Sequence, residues 1–341
     1  MLLVKCKEVT VKESIYGGKL LARGCIIMLG IVASWVSTCA AQYPNRPLRL
    51  LVTLPPGGSG DFQARILSVK LTEKLGQQLV VDHRPGAAGI VATEIVAKSQ
   101  PDGYTLLFGN VAALAIIPAL QVKLPYDPIK DFAPISMTGR TTLVLAAGTS
   151  LPVNSIKELI ALAKANPGKI SYGSTGTGNI THLAGEMFNS LAGVKLVHIP
   201  YKGAGPQVID VMSGNVAVGF ISVTAAMPHL SSGRLKLLLI AGKERIGAAP
   251  DVPTVAEVGM PDIEMASGWF GVLAPARTPQ AIVLRLNTEI VKVIEAPDVR
   301  ERFLSQGLTP VTSTPQEFAE LIKSDRPKWS KAANAAGLRM Q

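Results

Sequence analysis

The sequence predicts an α/β protein in two lobes, each a mainly parallel sheet flanked by helices. Three observations carry that prediction. An apolar strand, a glycine turn and a helix follow one another twice within residues 48–98, and alternating βα units of this kind build parallel sheets with helices on both faces. The same grammar restarts at residues 169–191, far enough along a 341-residue chain to found a second sheet. Composition agrees, since 48% of residues are hydrophobic, 17% charged and 5% aromatic, a balance that suits a soluble α/β protein.

Ahead of the first strand, the N-terminus reads as a secretory signal. Lys5, Lys7, Lys12, Lys19 and Arg23 precede an apolar run over residues 25–36, and Ser37-Thr38-Cys39-Ala40-Ala41 supply small residues for cleavage after Ala40 or Ala41. The run is too short to stay as a membrane span. A lipoprotein reading through Cys39 is weaker, because Val36-Ser37-Thr38 matches a lipobox poorly. The basic stretch is unusually long for a signal, which leaves a start codon downstream of Met1 open. Removing residues 1–41 takes away five basic and two acidic residues, so the net charge falls from +10 to +7. It also takes away Cys6, Cys25 and Cys39, which are all the cysteines. The exported chain is expected in the periplasm, with no disulfide, thiol nucleophile or cysteine metal ligand. Its positive charge is scattered and no basic run interleaves with aromatics, so no nucleic-acid partner is expected. Acidic small molecules fit that charge better.

The opening strand covers residues 48–54 and stops at Pro55-Pro56, which supply no ladder N–H. Gly57, Gly58 and Gly60 allow backbone angles that let main-chain amides face a ligand. Ser59 or Asp61 is expected to cap the following helix, whose first turn offers unpaired N–H groups to an anion. A tight βα turn with no ligand reads the motif equally well. The helix runs over 62–75 with Gly76 as its stop. A strand at 79–82, a turn at 84–89, a helix at 90–98 and a third strand at 104–108 ending in Gly109-Asn110 follow. Residues 120–134, rich in proline and charge, predict irregular structure. Then come a strand at 143–147 and a helix at 155–165 closed by Asn166-Pro167-Gly168. The second lobe brings a strand at 169–172, a loop at 173–179 and a helix at 180–191. Further strands are expected at 196–200, 216–221, 235–240 and 269–273, and closing helices at 279–294, 297–304 and 315–332. By this reading residues 1–41 are a signal peptide, 42–140 begin lobe one, 141–265 form lobe two, and 266–341 return to lobe one.

The loop at 171–179 is a second candidate site. Ser174, Thr175, Thr177 and Asn179 offer neutral donors beside free amides at a helix start. A flexible surface turn is the alternative, but the apolar flanks argue that the loop is held firmly. Two glycine loops facing each other across a cleft suit an anion. Nucleotide readings fail in detail: Gln63 stands where a dinucleotide fingerprint needs its third glycine, and no Gly-Lys-Ser/Thr exists. The nucleophile-elbow pattern is absent, since Asp61 and Tyr172 stand where glycines are required. His182 and Glu186 share a helix face at metal-ligand spacing, yet a structural hydrogen bond or a ligand-facing imidazole fits a lone pair better. His198, inside an apolar strand, reads as a satisfied core histidine. No cofactor, metal or enzymatic constellation is expected.

Several motifs, spread in order over residues 43–275, carry a family resemblance. They include Pro55-Pro56-Gly57-Gly58 with Asp61 and Ala64-Arg65, Arg84-Pro85-Gly86-Ala87 with Gly89, and Pro101-Asp102-Gly103-Tyr104-Thr105-Leu106. Others are Ala165-Asn166-Pro167-Gly168-Lys169, Gly176-Thr177-Gly178 with His182-Leu183-Ala184, Pro200-Tyr201-Lys202-Gly203, Val252-Pro253-Thr254 with Glu257, and Trp269 with Gly271. In these the chain resembles the Bug (TctC-like) family, periplasmic solute receptors of tripartite tricarboxylate transporters. The resemblance implies a two-lobed type II periplasmic-binding fold that closes on a small carboxylate. It also implies ligand contacts from Gly58, Ser59, Asp61, Ala88, Gly89 and Asn110 in the first lobe, and from Ser174, Gly176, Thr177, Asn179 and His182 in the second. The implied partners are the membrane subunits of such a transporter, with the receptor a monomer; a ligand-sensing adaptor for a periplasmic sensor kinase is the alternative. Departures matter too. Leu54 replaces the family's aromatic and Ser59-Gly60 its hydroxyl pair, which would loosen carboxylate binding or admit a larger ligand. Ala217 and Ile221 stand where the family favours aspartates, which speaks against an amine-bearing ligand.

Overall fold

The computed structural model describes residues 43–335 apart from 121, 122, 231 and 248. The expected signal segment and all three cysteines lie outside the described residues. One compact unit, Arg46–Gln341, carries everything below.

The first lobe begins as the sequence predicts. β1 (Leu48–Val52) buries every residue but Arg49, as a strand covered on both faces must. α1 (Ser59–Leu75) crosses over to β2 (Leu79–His83), ending at Gly76 with φ 67°. α2 (Ile90–Ala97) leads to β3 (Thr105–Asn110), and β1 pairs in parallel with β2 on one side and β3 on the other. After a turn of π-helix at Ala112–Ile116 comes β4 (Phe132–Thr141). This ten-residue strand corrects the expectation of irregular structure through residue 134. Pro134 and Gly139 are what disguise it. Pro134 sits opposite Leu273, next to a register shift that accommodates a residue without an N–H. At Gly139 a Cβ would come within 3.0 Å of the Thr309 carbonyl oxygen and 3.2 Å of the Phe303 ring, so close approach demands glycine there.

β5 (Leu143–Gly148) starts after a single intervening residue, but in a second sheet. That sheet is completed by α3 (Ile156–Ala165), β6 (Ser171–Ser174), α4 (Ile180–Ala192), β7 (Val197–Pro200), α5 (Ala204–Ser213), β8 (Val218–Ser222), α6 (Val223–Leu230) and β9 (Leu235–Ala241). β10 (Gly268–Pro275) then returns to the first sheet, between β3 and β4, followed by α7 (Gln280–Glu295), α8 (Pro297–Ser305), β11 (Leu308–Pro310) and α9 (Pro315–Ala335). The orders are β11-β4-β10-β3-β1-β2 and β7-β6-β8-β5-β9. Neighbouring pairs are mixed: β10 and β11 run against the first sheet and β5 against the second. By direction the sheets are mainly parallel, with β1–β4 aligned in the first and β6–β9 in the second. That shared direction positions the site, because ligands in such sheets lie beyond the carboxyl ends of the strands.

Candidate functional site

A cleft of about 620 Å³, its mouth included, gathers those ends from both sheets. Leu54 and Pro55 follow β1, Asn110 closes β3, and Thr141 closes β4. From the second sheet come Thr175 after β6, Gly203 after β7 and Ser222 at the end of β8. Where strands run the other way, their first residues line it instead: Leu143 of β5 and Gly268 of β10.

The loop before α1 shows how backbone amides are presented. Gly58 takes the N-cap position with extended backbone, and no side chain caps the helix, which corrects the expectation for Ser59 and Asp61. Asp61 turns back instead. Its carboxylate accepts from the Gly57 N–H at 3.0 Å and Arg65 Nε at 2.8 Å, and lies 3.0 Å from His83 Nε2. It is consumed in fastening the turn and does not line the cleft. Ser59 and Gly58 do. Gly60 leaves room that apolar groups fill, since a Cβ there would meet Leu54 Cδ1 at 2.8 Å and Phe270 Cε1 at 3.3 Å. Ala88 and Gly89, with φ of 54° and 100°, sit behind the loop; a Gly89 Cβ would press on Thr53 at 3.0 Å and Ala113 at 3.1 Å. Asn110, which lines the cleft, accepts from the Ala113 N–H at 3.0 Å through Oδ1.

The opposite loop is knitted to itself. The Gly176 N–H donates to Ser174 Oγ at 3.1 Å, and the Ser174 hydroxyl shares a hydrogen bond with His198 Nε2 at 2.7 Å, its direction set by the ring's tautomer. The Thr175 N–H donates to Thr181 Oγ1 at 2.9 Å, and Asn179 Nδ2 to the Thr175 carbonyl at 3.2 Å. His182 Nδ1 accepts from the Gly178 N–H at 3.2 Å, and its ring stacks on His198 with centroids 3.9 Å apart. Burial lowers the pKa of His182 to about 4 and of His198 to about 4, the latter also because protonating both stacked rings would set two positive charges against each other. Both rings are therefore neutral at physiological pH, and His182 Nδ1 is an acceptor. Of this loop's expected contacts, Asn179 lines the cleft; Ser174, Gly176, Thr177 and His182 do not. Glu186 accepts from Tyr172 Oη at 2.5 Å and lies 4.0 Å from His182. Among the described residues no cluster of three His, Cys, Asp or Glu could hold a metal ion.

Sequence reasoning passed over a third loop. Gly203, at φ 116°, precedes α5 and touches the first lobe: a Cβ there would meet Pro55 Cγ at 2.4 Å, and Ala204 Cβ lies 3.8 Å from where a Gly58 Cβ would stand. The signal was present in Pro200-Tyr201-Lys202-Gly203, a strand end, a glycine and a helix start like the others. Thr175, offered by the sequence as a donor of the second loop, lines the cleft, whereas Thr141, Thr181, Ser222, Trp269 and Phe270 were missed. Four helices thus begin at the cleft wall, α1, α4, α5 and α6, while among the described residues no Lys, Arg, His, Asp or Glu lines it. Free amides and helix dipoles give such a wall a positive potential without a cationic side chain.

Two sheets that exchange strands around a cleft of this kind define a two-lobed periplasmic solute-binding protein. The chain belongs to the tripartite tricarboxylate transporter receptor family, whose profile matches residues 63–338. It is 38% identical over 319 residues to the protein BugT of Bordetella pertussis (strain Tohama I), spanning 93% of this chain and 97% of BugT. The solved structure of R. palustris Rpa4515 with adipate is similar with a TM-score of 0.84 at 32% identity, covering 87% of this chain and 99% of that one. MatC from Rhodopseudomonas palustris with bound malate gives a TM-score of 0.79 at 28% identity, covering 85% and 99%. The family is one of receptors rather than enzymes, in keeping with the sequence reading.

Proposed function

We propose that the receptor is exported with loss of residues 1–41, captures a small carboxylate between its lobes, and delivers it as a monomer to the membrane subunits of a tripartite tricarboxylate transporter. Residues 42–140 with 266–341 serve as one lobe and 141–265 as the other. One observation carries the choice of ligand: helix N-termini from both sheets face a cleft without a charged side chain. A carboxylate is satisfied there by amides and hydroxyls, whereas an ammonium finds no anionic partner. The contacts come from Gly58, Ser59, Asn110 and Asn179, joined by Ser222 and the Gly203-Ala204 turn. The adipate and malate in the two Rhodopseudomonas neighbours support this class. Protein recovered from the periplasm tests the reading. Its intact mass is expected to begin at Ala41 or Gln42. In a thermal-shift screen over mono-, di- and tricarboxylates, amines and sugars, a carboxylate at 100 times its Kd should stabilise by about 2.7 kcal/mol. A shift from amines or sugars alone sinks the proposal.

A further inference from the structure

Several polar side chains of the cleft wall are already engaged within the protein. Thr175 and Thr181 share a hydrogen bond between their hydroxyls at 2.8 Å, and Thr181 Oγ1 also accepts from the Thr175 N–H at 2.9 Å. Asn179 spends its Nδ2 on the Thr175 carbonyl at 3.2 Å, and Asn110 its Oδ1 on the Ala113 N–H at 3.0 Å. Unpaired backbone amides belong to the first turns of the helices that start at the cleft. A ligand's anionic group has its partners there, and the rest of the molecule must lie against whatever separates those helix starts.

That surface is hydrocarbon, and both lobes contribute to it. On one side, Leu54 Cδ1 and Phe270 Cε1 converge on Gly60, 2.8 and 3.3 Å from where its Cβ would stand. Phe270 is fixed in turn by stacking on Phe108, with centroids 5.7 Å apart and ring planes 13° from parallel. On the other side, Ile180 opens α4 and reaches the first sheet: its Cδ1 lies 3.4 Å, and Val111 Cγ1 3.8 Å, from where a Gly268 Cβ would stand. Leu54 and Ile180 both line the cleft and are only half-buried, so each keeps accessible surface. A molecule lying against them gains by burying hydrocarbon. Hydroxyl groups in the same place would leave water for a wall that offers them no partner.

We propose that the receptor selects its carboxylate by an apolar body, a ring or chain free of hydroxyl groups, held between Leu54 and Phe270 of the first lobe and Ile180 of the second. This rests on the carboxylate reading above and adds the body of the molecule to it. One carboxylate at a helix start, or one at each end of the body, suits the arrangement equally. The wall discriminates by what lies beside or between the carboxylates, not by their number.

The test uses acids matched in skeleton that differ in hydroxylation: adipate against galactarate, succinate against tartrate, and cyclohexanecarboxylate against quinate. Calorimetric titration of the exported protein should find at least one apolar acid bound about tenfold or more tightly than its hydroxylated partner. Ile180→Thr and Leu54→Asn each put a polar group on the wall and should shrink that ratio by about threefold or more. Ile180→Leu, which keeps the hydrocarbon, should preserve it. The ratio is read between two acids on one protein sample, so a variant that folds less completely does not by itself change it. A hydroxylated partner that binds as tightly or more tightly in every pair overturns the inference, and so does a ratio unchanged in both polar variants; in either case the carboxylate reading survives. Binding of none of the six acids overturns both.

Discussion

The Ser174 hydroxyl ties the cleft loop to His198. The loop therefore depends on two imidazoles: His182 accepts the Gly178 N–H through Nδ1, which needs that nitrogen unprotonated, and His198 Nε2 shares a hydrogen bond with Ser174. The charges that face them are each other's and that of Glu186. An unfolded histidine titrates near 6.5, whereas burial lowers His182 and His198 to about 4. Between those values the unfolded chain binds more protons than the folded one, so stability present above pH 6.5 is lost as the pH falls toward 4. The loss is on the order of 3 kcal/mol for His182 and smaller for the half-buried His198, whose charge solvent screens. Urea midpoints at pH 7 and pH 4.5 measure it. His198→Phe should lower stability at pH 7, because Ser174 loses its hydrogen-bond partner, yet reduce the drop on acidification. An equal drop in wild type and variant would place the acid sensitivity elsewhere.

At the scale of elements, the sequence was legible where a strand is mostly apolar. β1, β3, β5, β8 and β9 announce themselves that way, and Ser155 caps α3 by accepting from the Glu158 N–H at 3.2 Å. β4 was hidden because Pro134 and Gly139 are tolerated only through a register shift and a close neighbour, and neither is visible before strands are paired. The site was half legible for a similar reason. Sequence marks where amides become free at a helix start, but which hydroxyls turn inward, as Ser174 and Thr181 do, depends on partners across the fold. Gly203 shows the consequence. Gly203→Ala places a Cβ against Pro55 Cγ and should weaken ligand binding about tenfold or more, since the loops can no longer meet, in addition to about 1–2 kcal/mol of backbone strain. Gly57→Ala is the control: its φ of 92° imposes similar strain, but a Cβ there meets nothing within 4 Å. Equal calorimetric losses in the two variants would mean that strain, not blocked approach, explains the effect.

At the scale of the whole molecule, the lobes are joined where β4 passes into β5 and where β9 leads back to β10. Contact between Pro55 and Gly203, and between Gly58 and Ala204, makes the structure a closed one. A ligand that needs amides from both lobes should hold this state, and a free receptor should open. The chain offers a direct way to ask. Ala204 Cβ lies 3.8 Å from the position of a Gly58 Cβ, close to the mean Cβ–Cβ separation of about 3.8 Å in disulfides. Gly58 has φ −113°, which any residue adopts. Residues 42–341 contain no cysteine, so a Gly58→Cys, Ala204→Cys pair would be the sole thiols in the exported chain. Oxidation should then lock the cleft shut. Ligand added beforehand should stay bound through dialysis; ligand added afterwards should fail to enter until a reductant is supplied. Mass spectrometry counts the free thiols and calorimetry with and without reductant reads the entry. Two thiols that stay free under oxidising conditions, with ligand present, would show that these loops do not meet in solution and that closure brings other surfaces together.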